Sequence, residues 1–148
     1  MVVDSTVTGC RFCHVAAGEL PAHVVLDEDE VLAFLDFRPL FPGHVLVVPR
    51  HHHPTLTDLP PASLHPFFAA VQRVAAAVTD AMGADGTFVA MNNTVSQSVP
   101  HLHVHVVPRR FKDGLRGFFW PRGRYASDAE AAEVAGRIRS AVLTPRHP

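Results

Sequence analysis

Apolar and polar positions along this chain follow two different rhythms, and the changes between them mark out its elements. His23 to Leu26 and Val31 to Asp36 are short apolar runs separated by Asp27-Glu28-Asp29-Glu30. The acidic link supplies turn residues, so the pair reads as a β-hairpin. His44 to Pro49 is rich in valine and closed by proline, which predicts a buried strand. From Leu64 to Met82 the period changes: Leu64, Phe67, Phe68, Val71, Val74, Ala75, Val78 and Met82 share one helical face. Pro60, Pro61 and Pro66 confine the start of that long helix, and Gly83 stops it. Thr87 to Asn92 and His101 to Val107 read as two further strands joined by a polar loop. Ser127 is an N-cap with Glu130 three residues on, opening a short helix whose apolar face is Val134, Ala135, Ile138 and Val142. The predicted class is α+β, a mostly antiparallel sheet of about five strands with one long and one short helix.

No repeat and no shift in composition marks a second domain, and 148 residues suit a single core. Residues 1–9 read as a flexible arm and Thr144 to Pro148 as a frayed end. With 47% hydrophobic and 18% charged residues the chain is expected to fold. No apolar stretch reaches membrane-spanning length, and Met1 to Gly9 lacks the pattern of a secretory signal. A cytoplasmic protein that contacts no membrane is therefore expected. A formal net charge of −1 argues against nucleic acid as a partner.

Eleven histidines are many for this length, and they gather at His51 to His53 and at His101, His103 and His105. In a strand the latter three project to one side, about 6.5 Å apart, while Leu102, Val104 and Val106 enter the core. Imidazole suits attack on phosphorus. Near neutral pH it keeps a lone pair on one nitrogen while the other donates a hydrogen bond, and the phospho-imidazole bond is labile to water. Three such histidines are equally suited to ligating a metal. Cys10 and Cys13 could supply half of a tetrahedral zinc site, with histidines as the remaining ligands, or remain free thiols.

The run His101-Leu102-His103-Val104-His105-Val106-Val107-Pro108-Arg109 resembles the signature of the histidine-triad (HIT) family. Ala33-Phe34-Leu35-Asp36 and Pro42-Gly43-His44-Val45-Leu46-Val47-Val48-Pro49 are similar to its nucleoside-pocket strands, and Gln97-Ser98-Val99 is a third matching block. The resemblance extends in order from Cys10 to Arg109. It implies a single HIT-like domain over residues 1–148, with a divergent segment from 110 on, and a homodimer joined through an extended sheet. It also implies a nucleotide hydrolase acting on a phosphoramidate or a dinucleoside polyphosphate, or a nucleotidyl transferase, with a nucleotide-binding scaffold as the rival.

By that resemblance His103 is the nucleophile on the α-phosphate, and His105 binds phosphate oxygens. Asp36 receives the ribose hydroxyls, and Gln97 and Ser98 hold the phosphate or leaving group. Phe34, Leu35, Phe37 and Leu46 are candidate base-pocket walls, although core packing is the commoner fate of such side chains. The expected ligand is a purine nucleotide, adenosine by analogy. The implied metal is a structural Zn2+ on Cys10, Cys13, His52 and His101. His44, within a strand-like run, reads as structural.

Two segments depart from the family pattern. Asn92 to Gln97 lacks the glycines expected before the glutamine, so Asn93 or Ser96 would have to replace backbone donors. After Arg109, the basic residues Arg110, Lys112, Arg116, Arg122 and Arg124 surround Phe118-Phe119-Trp120. This segment fits a solvated tail and a polyphosphate clamp equally well.

Overall fold

The computed structural model describes residues 8–115 and 123–144. The chain divides into two compact units, one ending at Asp113 and the other beginning at Gly114. Phe118-Phe119-Trp120, with Arg116 and Arg122, lies outside the described residues, as do residues 1–7 of the expected arm.

The first unit is built on a five-stranded sheet: β1 (Val24–Asp27), β2 (Val31–Leu35), β3 (Val45–Pro49), β4 (Gly86–Ala90) and β5 (Val104–Arg109). Its spatial order is β1-β2-β3-β5-β4, and every neighbouring pair is antiparallel. All five expected strands are present, with ends shifted by at most three residues. The largest shift is at β5, which begins at Val104 instead of His101. The reason lies in the backbone donors. Leu102 N–H bonds the His53 carbonyl and His101 N–H bonds the Val99 carbonyl, so neither joins the ladder. Opposite them β3 runs out at Pro49, which has no N–H to give.

Two helices cover opposite faces of the sheet. Helix α1 (Arg11–Ala16) was not expected; six residues are too few to display a helical period, and Cys10 is its N-cap. It buries Phe12, Cys13 and Val15 against Leu32, Phe34, Leu46 and Val48. Helix α2 (Pro61–Met82) starts three residues before the expected Leu64, because proline at the first helical position gives up a donor the helix does not use. Pro66 is carried inside it. Gly83 ends it in the left-handed conformation at φ 57°, as expected. Phe67, Ala70, Val71, Val74 and Val78 of α2 pack on Val31, Ala33, Val45, Val47, Val104 and Val106.

Arg50 ties α1 to the β1–β2 hairpin. Its guanidinium donates to the Ala16 carbonyl at 3.0 Å and the Glu28 carbonyl at 2.6 Å, and it pairs with the Asp27 carboxylate.

The second unit holds α3 (Asp128–Leu143). Ser127 caps it as expected, accepting from Glu130 N–H, while the Glu130 carboxylate reaches back to Ala126 N–H instead of the cap residue. No helix among the described residues is long and apolar enough to cross a membrane.

Candidate functional site

The strand alternation that buries Leu102, Val104 and Val106 beneath α2 sends His101, His103 and His105 to the α1 face. Each of the three is engaged differently, and their hydrogen bonds fix where the protons sit.

The His101 ring is fully buried. Its Nε2–H donates to the Pro49 carbonyl at 2.7 Å, so Nδ1 carries the lone pair. That nitrogen lies 3.5 Å from both Cys10 Sγ and Cys13 Sγ, and His52 Nδ1 lies 3.4 Å from Cys13 Sγ. One ligand atom from each of Cys10, Cys13, His52 and His101 falls within 4.8 Å of the others. Burial, the largest influence, pushes His101 down to about 4, which keeps the ring neutral as a metal ligand must be. Two thiols and two imidazoles, one with its tautomer already fixed by a backbone carbonyl, fit a tetrahedral metal centre.

His103 Nδ1–H donates to the His101 carbonyl at 2.7 Å, which leaves Nε2 with the lone pair. Phe12 stands edge-on to the His103 ring with centroids 5.1 Å apart, and the His105 ring is at 5.0 Å. The imidazole is thus held on two sides and by one nitrogen, while the other nitrogen remains a base.

His105 takes the opposite tautomer, through a chain that starts at a main-chain amide. Leu40 N–H donates to His44 Nδ1 at 3.1 Å, so His44 carries its proton on Nε2. That Nε2–H donates to His105 Nδ1 at 2.9 Å, with Asp36 Oδ2 at 3.5 Å beside it. His105 Nδ1 is therefore an acceptor, and its proton resides on Nε2. Burial pushes His105 down to about 4, helped by the neighbouring His103 and His44 and opposed by the Asp36 carboxylate. Burial also lowers His44, again against Asp36. The result is a lone pair on His103 Nε2 beside an N–H donor on His105 Nε2.

Asp36, His44 and His105 also bring ligand atoms within 4.8 Å of one another. The same proton assignment argues against a metal there, because the Leu40 amide makes His44 Nε2 a donor and not a ligand.

The remaining candidates divide. Asp36 Oδ1 accepts Arg38 N–H at 2.8 Å, and the carboxylate stands at the end of β2 on the histidine face. Phe34 and Leu46 are on that face too, but both are buried, and Phe34 forms a floor under Phe12 and Phe37. Phe37 is 40% exposed at the rim, where Arg11 lies across its ring. Leu35 does not join them. As the next residue after Phe34 on a strand it turns to the α2 face, where it lines an apolar cavity of about 320 Å³ with Val25, Val45, Val78 and Met82.

In the loop before the triad, Asn93 Oδ1 accepts Leu56 N–H. Gln97 braces the loop, accepting Thr94 N–H at 3.0 Å and donating to the Pro54 carbonyl at 2.6 Å. Ser98 is exposed. Where glycines were expected, Thr94 and Ser96 adopt φ 68° and 60°, so the chain keeps a glycine-like path without glycine. At the start of the basic segment Arg110 caps the α2 carbonyl of Met82, and just before it Arg109 holds Asp113 at 2.6 and 2.9 Å, so both have structural partners.

Sequence reasoning missed Phe12 and Arg11 and left His44 as merely structural. A signal for His44 existed: it shares strand parity with Leu46 and register with Asp36, whose N–H bonds the His44 carbonyl. For Phe12 no signal existed without knowledge that residues 11–16 form a helix.

Comparison with known proteins bears on the whole arrangement. The HIT domain family model matches residues 17–112, a stretch that begins after Cys10 and Cys13. An uncharacterized HIT-like protein of Mycobacterium tuberculosis is 43% identical over 108 residues, 72% of this chain and 75% of that protein. An adenylylsulfatase of Arabidopsis thaliana is 34% identical over 137 residues, 88% of this chain and 68% of its own. Among solved structures, a Zn-bound histidine triad family protein from Mycobacterium smegmatis superposes with a TM-score of 0.68 at 33% identity, covering 90% of this chain and 98% of that one.

Proposed function

This chain belongs to the HIT domain family, and on that premise we propose that it is a nucleotide hydrolase that cleaves a nucleoside phosphoramidate or dinucleoside polyphosphate at the α-phosphate. The observation that carries this reading is the hydrogen bond from His103 Nδ1–H to the His101 carbonyl, which leaves the Nε2 lone pair for attack on phosphorus. In the first step His103 Nε2 forms a bond to the α-phosphorus, and the bond to the leaving group breaks. In the second, water adds to phosphorus and His103 is released with the nucleoside monophosphate. His105 Nε2–H donates to the phosphate oxygens as their charge develops. The ribose hydroxyls donate to Asp36, and the base rests near Phe37 above Phe34 and Leu46. Histidine at position 105, where similar transferases carry glutamine, favours water as the acceptor. The ligand is a purine nucleotide, adenosine by the family analogy. The Arabidopsis relative's name, adenylylsulfatase, is consistent with an adenylyl group on such a site.

Cys10, Cys13, His52 and His101 would hold Zn2+, as the donor set and the Zn-bound relative support. The metal would supply a structural tie between the start of α1 and the residue that orients His103. Two buried cysteines that form no disulfide fit a reducing, cytoplasmic setting. A homodimer would extend the sheet along the edge strand β4, where Val89 is exposed. Sedimentation that finds only monomer would refute the dimer.

The test of the chemistry is an intact-mass time course with an adenosine phosphoramidate and a diadenosine polyphosphate, on the natural chain and on His103→Ala. Turnover of either substrate, lost in the variant, supports the nucleophile. No turnover, with adenosine monophosphate still bound, favours a nucleotide-binding scaffold instead.

A further inference from the structure

Arg11 is the first residue of α1, between two buried neighbours, Cys10 and Phe12, so its backbone is firmly placed while its side chain is exposed. Its guanidinium carbon sits 4.2 Å from the centroid of the Phe37 ring. Four other arginines of the first unit have charged or main-chain partners, while the Arg38 side chain, like that of Arg11, makes no ion pair among the described residues. Arg50 pairs with Asp27, Arg73 with Glu28, Arg109 with Asp113, and Arg110 caps α2. Arg11 has no carboxylate partner among the described residues.

Phe37 is the outermost ring of a ladder that begins at the nucleophile. Phe12 meets His103 at 5.1 Å, Phe34 meets Phe12 at 5.5 Å, and Phe37 meets Phe34 at 5.9 Å. Asp36 Oδ2 stands 3.5 Å from the His44 nitrogen that bonds His105, and Phe37 packs on Phe34 with Arg11 across it, so a nucleotide with phosphorus at His103 and ribose at Asp36 presents its base to Phe37 and Arg11. A guanidinium lies flat on aromatic rings and on bases alike, being planar and weakly hydrated.

We propose that Arg11 is a specificity-determining residue that closes over the nucleobase, holding it between the guanidinium and the Phe37 ring and selecting purines over pyrimidines by the larger stacking face they offer. This rests on the nucleotide reading above. In the ligand-free arrangement the guanidinium occupies the ring face itself, and the base replaces one cation–ring contact with stacking on both sides. The contact is with the base and not the phosphate, because His103 and His105 stand at the other end of the ladder.

Calorimetric titration of the full chain with AMP, CMP and ribose 5-phosphate tests this, using Arg11→Ala and Arg11→Met beside the natural chain. Arg11 is exposed and alanine is a good helix former, so the fold and the cysteine pair are expected to tolerate both changes. Arg11→Ala should weaken AMP roughly three- to tenfold, the range of a partly desolvated cation–π contact, and narrow the gap between AMP and CMP. Ribose 5-phosphate should bind as before. Methionine restores length without charge or plane and should stay weak. Equal weakening of ribose 5-phosphate would overturn the proposal by moving Arg11 to the phosphate, and full recovery in Arg11→Met would overturn it by making the contact simple packing. Unchanged AMP affinity in Arg11→Ala would also overturn it. If the natural chain binds none of the three ligands, the nucleotide reading itself fails.

Discussion

His44 Nε2 lies 2.9 Å from His105 Nδ1, and that contact sets which nitrogen of His105 faces a ligand with a proton. His44 is 3% exposed and is oriented by the Leu40 amide, so little else can satisfy it. His44→Phe keeps a ring but removes both nitrogens. The expected result is a fall in kcat of roughly tenfold to a hundredfold, the usual cost of losing a group that orients a reacting side chain, with a smaller change in KM. Steady-state kinetics check this, and an unchanged kcat would show that His105 is oriented without His44.

Acid should destabilise the fold through His105. The native ring stays neutral down to about pH 4, whereas an imidazole in the unfolded chain takes up its proton near 6.5. Between those values the unfolded state binds more protons, so stability falls as pH drops from 6.5 to 4. Urea midpoints across that window should slope upward with pH, and His105→Gln should make the slope shallower. Identical slopes in the two proteins would refute this assignment.

Metal removal should act on stability first. A chelator, or Cys13→Ser, is expected to lower Tm by about 10 °C or more, corresponding to roughly 4 kcal/mol for a ligand held far above its dissociation constant. Scanning calorimetry with metal analysis of the sample reads this directly. A chelated protein that keeps its Tm but loses its rate would argue that the cysteine–histidine centre is not structural.

Thr94 and Ser96 carry left-handed backbone angles that glycine adopts without strain. Thr94→Gly should stabilise the chain by about 0.5–1 kcal/mol, the relief at a β-branched residue less the added freedom of the unfolded chain. Denaturant titration gives the sign. A destabilised variant would mean that Thr94 holds the loop by contacts that outweigh its strain.

The strands were legible because their apolar residues recur at period two and the long helix because Phe67, Val71, Val74 and Val78 recur at three to four. The candidate metal ligands follow from family spacing, and the fold brings those four side chains together from three separate places. What stayed hidden has physical causes. Helix α1 is too short for a period to show. Leu35 parts from Phe34 because a strand sends neighbours to opposite faces, which a family resemblance read along the sequence does not separate. Arg110 reads as a free cation in sequence because its partner is a main-chain carbonyl, which no sequence pattern reveals.

Interleaving has a further consequence in β5 and the residues before it, where His103 and His105 alternate with Leu102, Val104 and Val106. Deleting one residue there would exchange the two sets, turning imidazoles into the oily interior and aliphatic chains out to the substrate. Folding and chemistry would be lost in one event, so this stretch should tolerate substitution far better than any change of length. Arg11 and Phe37, off the sheet and partly in solvent, carry no such coupling. On the proposed role of Arg11, a lineage of such proteins would be free to change which base it accepts while the histidine strand stays fixed.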